Sequence, residues 1–233
     1  MARSKPELII LPGWAGDSSL WQHQCVNLTD LVTPKVIVVT EQPSIEKMAE
    51  EVLSSASEKF ILLGHSLGGL IAQWIAIHHP HKVNKLILLA TWTGFSSPEL
   101  VTFFKKMLQK IRNDERESLW NDIKSNLVYS QHDHRENLLQ TIHACLAQFP
   151  TQGLINQTLA EINAIDTSPL LHKIQCPTLI IHGRQDAFFP LQIHEHIRDH
   201  IANAKLTIIE TCGHMLSIEQ PEAITALIRL WVQ

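Results

Sequence analysis

The apolar positions of this chain fall into two kinds of run, and their alternation is the first thing to read. Short unbroken runs occur at Leu8–Leu11, Val36–Val39, Ile61–Leu63, Leu86–Ala90, Thr178–Ile181 and Leu206–Ile209. Continuous apolar stretches of this length predict strands buried on both faces, as in a parallel sheet. Between them, apolar residues recur at helical spacing. Ile45, Met48, Ala49, Val52 and Leu53 follow an N-capping Ser44; Ile71, Trp74, Ile75 and His78 form a second series; the stretches Pro190–Ile201 and Ala223–Val232 complete the pattern. Strand and helix in alternation predict an α/β fold, with a mostly parallel central sheet flanked by helices.

The rhythm breaks once. From about Gly94 to Asp166 the periodicity stays helical and no strand interrupts it: Phe103, Phe104, Met107, Leu108 and Ile111, then Leu119, Trp120, Ile123 and Leu127, then Leu138, Leu139, Ile142 and Leu146. This predicts a helical lid over residues 94–166, inserted into a core made of 1–93 and 167–233.

One stretch joins the two kinds of run with almost nothing between them. In Phe60-Ile-Leu-Leu-Gly-His-Ser-Leu-Gly-Gly-Leu-Ile71 an apolar strand stops at a glycine and resumes as a helix. Gly64-His65-Ser66-Leu67-Gly68 fits the pattern G-x-S-x-G, in which a serine occupies a sharp strand-to-helix turn with its hydroxyl lifted clear of the backbone. A serine hydroxyl is a weak nucleophile at neutral pH and needs a base in contact and an acid that orients the base. Candidates follow two later strands: Asp186 in Gly183-Arg-Gln-Asp186, and His214 in Gly213-His214. Asp186 read alone could equally cap the helix near Pro190, and His214 could be an ordinary loop histidine. The order serine, acid, histidine, each just past its own strand, favours Ser66, Asp186 and His214 as a catalytic set. An ester's tetrahedral intermediate also requires backbone donors for its oxyanion, and the N–H groups of Leu67 and Trp14 are placed to supply them.

Composition narrows the remaining classes. The 233 residues are 45% hydrophobic, enough for one domain with a large core, and the net charge of −4 gives no footprint for nucleic acid or a membrane surface. No run approaches ~18 consecutive apolar residues, and Met-Ala-Arg-Ser-Lys-Pro leads into a strand, which predicts a soluble, cytoplasmic protein. Cys25, Cys145, Cys176 and Cys212 are scattered without C-x-x-C pairing, so reduced thiols are expected, and neither a disulfide framework nor a zinc site is indicated. His78, His79 and His81 end one helix, and His194, His196 and His200 lie along another, without convergent acids. Solvated helix faces, and no metal, are expected there. The triad chemistry itself calls for no cofactor.

Leu11-Pro-Gly-Trp-Ala-Gly16, Gly64-His-Ser-Leu-Gly68, Gly183-Arg-Gln-Asp186 and Cys212-Gly-His-Met215 together resemble the α/β-hydrolase superfamily over nearly the whole chain. Within it the chain is most similar to the biotin-pathway esterases that cleave pimeloyl-acyl-carrier-protein methyl ester, through its short length, Gly13-Trp14 followed by Trp21, and a compact lid. The resemblance implies an α/β-hydrolase fold, Ser66 as nucleophile, His214 as base, Asp186 as orienting acid, and Trp14 with Leu67 as oxyanion donors. It implies a carboxylic-ester hydrolase working through an acyl-serine. A thioesterase, lactonase or carbon–carbon bond hydrolase on the same triad, and a non-catalytic ligand-binding relative, are the alternatives. It also implies an acyl-carrier protein as a partner. Lys106, Lys110, Arg112 and Arg116 are then the candidates for a basic docking face, against a neutral reading in which nearby acids balance them. The chain departs from the pattern after its second strand, where Thr40-Glu-Gln-Pro-Ser44 runs almost directly into a helix; one wall of the pocket is expected to be more open for it.

Overall fold

A computed structural model describes residues 5–94 and 97–233. Six strands form one parallel sheet in the order β2-β1-β3-β4-β5-β6: β1 (Glu7–Leu11), β2 (Thr33–Val36), β3 (Phe60–His65), β4 (Val83–Leu89), β5 (Thr178–Gly183) and β6 (Ala204–Ile209). The four inner strands carry the apolar runs because helices cover both of their faces. Every residue of β3 and of β5 is buried.

The second strand is displaced from its apolar run. Val36–Val39 was the expected strand, whereas the ladder runs Glu7↔Thr33 to Ile10↔Val36 and ends with Ile37 N–H donating to Ile10 O at 3.0 Å. β2 is an edge strand with β1 as its sole partner. A half-exposed edge tolerates Thr33, Pro34 and Lys35, so the polar residues pair and the apolar ones continue past the ladder.

Helices follow the strands: α1 (Gln22–Asn27), α2 (Ile45–Ser55), α3 (Leu67–His78), α8 (Leu191–His200), the short α9 (Leu216–Glu219) and α10 (Pro221–Val232). Ser44 caps α2 by accepting from Lys47 N–H at 3.4 Å. Among the described residues, four more α-helices lie between β4 and β5: α4 (Pro98–Arg112), α5 (Arg116–Leu127), α6 (Arg135–Gln148) and α7 (Thr151–Ile162). α4 packs against α5 and α7, which makes the four a connected layer rather than separate excursions. Residues 95 and 96, inside the expected lid, lie outside the described residues. No helix among the described residues is long and apolar enough to cross a membrane.

Chain order passes from β1 outward to β2, then back across β1 to β3. Such a reversal opens a crevice beyond the carboxyl ends of the strands, where α/β proteins bind ligands. Leu11 and Gly64 are register partners at those ends, so the segments after β1 and β3 leave the sheet side by side.

Candidate active site

Ser66 occupies the turn between β3 and α3 with φ 51° and ψ −119°. That region costs a residue bearing a side chain about 1–3 kcal/mol and persists only when its surroundings over-determine it. They do so here. Ser66 N–H donates to Leu89 O at 3.0 Å, and Ser66 O accepts from Gly69 N–H and from Thr91 Oγ1, each at 2.8 Å. A Cβ added to Gly64 would lie 2.7 Å from Gly69 Cα, and one on Gly68 would lie 2.7 Å from Pro12 O, so strand, helix and the neighbouring loop meet backbone to backbone.

The loop after β1 abuts this turn. A Cβ on Gly13 would fall 3.1 Å from Ser66 Cβ, and Trp14 comes next in the chain. Its indole N–H donates to Thr158 Oγ1 on α7 at 2.9 Å. Ala15, at φ 55°, donates its N–H to Gln157 Oε1 at 2.9 Å. The Gln157 amide in turn donates to Val39 O at 2.9 Å, and Asn156 donates to Thr40 O at 2.8 Å. The short segment after β2 is therefore braced by α7, where a more open wall had been expected. Leu67 begins α3, so its N–H is one of the helix's unpaired N-terminal donors, adjacent to Ser66.

Asp186 and His214 approach from the far side of the sheet. Asp186 Oδ1 accepts from the N–H groups of Phe188 at 2.8 Å and Phe189 at 3.3 Å, and Oδ2 accepts from His214 Nδ1 at 3.0 Å. One oxygen thus fixes the turn before α8 without capping that helix, whose N-cap is Pro190, and the other faces the histidine. Burial works to raise the Asp186 pKa, but the His214 imidazole beside it and the hydrogen bonds it accepts prevail and hold the carboxyl below its ordinary value. A carboxylate only accepts, so His214 Nδ1 carries a proton and donates it to Asp186.

Three residues that set this geometry give no sequence signal. Glu219, on α9, is buried and accepts from the N–H groups of Gly213 and Met215 at 2.8 Å each, and from Tyr129 N–H at 2.9 Å. His214 is held between two of those bonds. His65 Nε2 lies 2.9 Å from His214 O; a carbonyl cannot donate, so the imidazole does. Burial and then the neighbouring His214 push the His65 pKa down to about 3, so the ring is neutral. Thr91 joins the serine turn to His194, whose Nε2 accepts from Thr91 N–H at 3.1 Å. His194 was expected on a solvated face; it is fully buried and packs against His182 at 4.4 Å between ring centroids. Burial lowers its pKa to about 3, with the neighbouring His182 adding to the shift.

Ser66, His214, Gly13 and Trp14 line one cavity of about 620 Å³, counting its open mouth. α4 supplies Phe103, Phe104 and Met107 to its walls, and α5 supplies Ile123 and Leu127. Glu161, from α7, is the sole carboxyl group on the lining among the described residues. Such a cavity suits an apolar chain carrying a group that reacts at Ser66.

The four basic candidates do not form one face. Lys106 and Lys110 share a side of α4, but Lys110 is ion-paired with Asp122. Arg112 lies about 200° round the same helix from Lys110. Arg116 belongs to α5 and donates to Leu146 O at 2.7 Å and Thr151 Oγ1 at 2.8 Å. Lys106 and Arg112 are exposed. All four cysteines are free thiols. Among the described residues, no three His, Cys, Asp or Glu side chains converge as metal ligands.

A parallel sheet with a strained serine turn at its switch point, and an Asp–His pair at the ends of β5 and β6, defines a class. The chain belongs to the alpha/beta hydrolase fold family, whose model matches residues 53–221. It is similar to a pimeloyl-[acyl-carrier protein] methyl ester esterase of Neisseria meningitidis serogroup C, with 27% identity over 81% of this chain and 75% of the relative. A thermophilic esterase from Thermogutta terrifontis superposes with a TM-score of 0.88 at 23% identity, over 98% of this chain and 90% of that one. The enol-lactonase from Burkholderia xenovorans LB400 gives 0.88 at 20% identity, over 98% and 92%.

Proposed function

We propose that this chain is a serine carboxylesterase acting through an acyl-serine intermediate. The observation that carries the reading is the His214–Asp186 hydrogen bond at 3.0 Å, with His214 and the strained Ser66 on the wall of one cavity. Ser66 Oγ attacks the ester carbonyl carbon while His214 Nε2 takes its proton. The Asp186 carboxylate stabilises the imidazolium that results. The oxyanion is held by the N–H groups of Trp14 and Leu67. Collapse of the tetrahedral intermediate breaks the bond to the alcohol, which leaves with the proton from His214. Water then attacks the acyl-serine by the same route and returns Ser66 to its starting state. α4 to α7 act as the lid that shapes the acyl pocket.

For the natural substrate, the esterase relatives and the apolar cavity favour a methyl ester at the end of an acyl chain borne on a carrier protein. Lys106 and Arg112, the two exposed cations of the candidate set, are the residues left to meet an acidic carrier.

Labelling with a fluorophosphonate, which needs an activated serine, together with p-nitrophenyl ester turnover, tests the mechanism. Ser66→Ala should abolish labelling and lower kcat by ~10⁴–10⁶. Retention of more than about a tenth of wild-type turnover would remove Ser66 from the nucleophile role. In the same assay, pimeloyl methyl ester presented on acyl-carrier protein should be cleaved with a higher kcat/KM than the free monomethyl ester. Equal values would leave a small-ester hydrolase.

A further inference from the structure

The cavity lining carries a carboxyl group that the hydrolytic mechanism does not use. Glu161 is 97% buried in α7, and its Oε2 has no hydrogen-bond partner. It projects from the helix face that also carries Gln157 and Thr158, one turn on from the two side chains that brace the Ala15 and Trp14 loop. A buried carboxyl oxygen without a partner costs free energy in the unliganded protein, and leucine or methionine would fill the place without that cost. Its position on the lining turns the cost into a specification for what the cavity binds.

We propose that Glu161 is a specificity-determining residue. Its carboxyl group donates a hydrogen bond to a second oxygen function of the substrate, a carbonyl or ether oxygen on the chain away from the scissile ester. This rests on the hydrolase reading and narrows it to esters with an additional neutral oxygen function on the acyl chain, such as oxoalkanoate esters, over plain hydrocarbon esters.

The surroundings decide the protonation state. Burial pushes the Glu161 pKa up to about 8, and no charged neighbour contributes to the shift. α4 and α5 present only apolar side chains to the cavity, and the other titratable groups on its wall are His65, from β3, and His214, after β6. At neutral pH the group is therefore an uncharged acid with one donor and a remaining acceptor. A cationic substrate would require a charge pair in an apolar enclosure with nothing else to solvate it, so a neutral acceptor fits better.

The test compares p-nitrophenyl 4-oxopentanoate, 5-oxohexanoate and 6-oxoheptanoate with the parent alkanoates of equal chain length. In the wild type at pH 7, one oxo ester of the series should exceed its parent in kcat/KM by roughly tenfold, mainly through KM, as one neutral hydrogen bond allows. Glu161→Gln keeps a donor and should keep the preference. Glu161→Met should bring the ratio to about one. Above pH 8 the wild type should lose the preference as the acid ionises, while Glu161→Gln retains it. Equal ratios in wild type and Glu161→Met across the series would overturn the proposal, as would a preference for the 6-aminohexanoate ester, which marks a cation site. Calorimetric binding of the matching unreactive oxoalkanoic amides and alkanoic amides to Ser66→Ala makes the same comparison without turnover. Failure of the hydrolase reading and failure of the Glu161 reading are thereby told apart.

Discussion

Glu219 shows how one side chain fixes the geometry of another. Its two oxygens take three backbone N–H groups, two of them flanking His214, so the imidazole stands on a loop whose donors are tied to a single carboxylate. Burial raises the Glu219 pKa against the opposing pull of those N–H bonds. In Glu219→Gln one oxygen becomes an NH₂ group that faces backbone donors, leaving at least one N–H unpaired. A buried donor left so costs about 1–3 kcal/mol. Thermal denaturation should show that loss, and kcat for a p-nitrophenyl ester should fall about tenfold or more with KM little changed, because His214 loses its register toward Ser66 while the apolar cavity is untouched. A lowered melting temperature with kcat intact would reduce Glu219 to a purely structural brace. The strained serine shows the same logic: three hydrogen bonds and backbone contacts at Gly64 and Gly68 hold a conformation that isolated serine avoids.

α7 is the element where sequence and structure part most clearly. Inner strands were legible because burial on both faces leaves a continuous apolar run, and the loops after β3, β5 and β6 could be placed because each begins where such a run stops. β2 was misplaced because an edge strand pairs on one side only, and its ladder follows backbone register rather than hydropathy. The buried face of α7 carries Asn156, Gln157, Thr158 and Glu161, residues that a periodicity argument assigns to solvent. Only the tertiary partners, Val39 O, Thr40 O, Ala15 N–H and the Trp14 indole, reveal why they are buried. His194 was misread for the same reason: one histidine of a polar helix turns inward to accept from Thr91 N–H. The element-level consequence is that α7 positions the loop carrying Trp14. Gln157→Leu removes both bonds of the bridge between Ala15 and Val39 and leaves a buried N–H and a buried carbonyl unpaired. The expected result is a fall in kcat of about tenfold, short of the ~10²–10³ that follows outright loss of an oxyanion donor. KM for small esters should change little. Unchanged kcat in a folded Gln157→Leu protein would sever α7 from the chemistry.

At the scale of the whole molecule, the groups buried in their neutral forms set where the fold is most stable. His65 and His194 titrate near pH 6.5 when unfolded and near 3 when folded, so their contribution is complete above pH 6.5 and is lost progressively as the pH falls from 6.5 toward 3. His182, also lowered by burial, acts in the same direction. Glu161 has the opposite sign. Its folded pKa of about 8 lies above the ordinary 4.5, so the unfolded chain gains from ionising it as the pH rises from 4.5 to 8, and stability falls over that range. Between 4.5 and 6.5 the unfolded state binds protons at two histidines while the folded state binds one at Glu161, which leaves the histidines ahead. Above 6.5 the two histidines are neutral in both states, and Glu161 governs. Stability should therefore peak near pH 6.5 and decline by about 2 kcal/mol toward pH 8, at about 1.4 kcal/mol per pH unit. For a chain of this size that corresponds to roughly 4–8 °C in Tm. Glu161→Gln should flatten the alkaline limb while leaving the acid limb in place. His194→Gln retains an acceptor for Thr91 N–H and should shallow the acid limb alone. Thermal melts from pH 4 to 8.5 decide the matter: a wild-type Tm that stays level between pH 6.5 and 8 would mean that Glu161 ionises as an ordinary carboxyl, and that the cavity is wetter than its walls indicate.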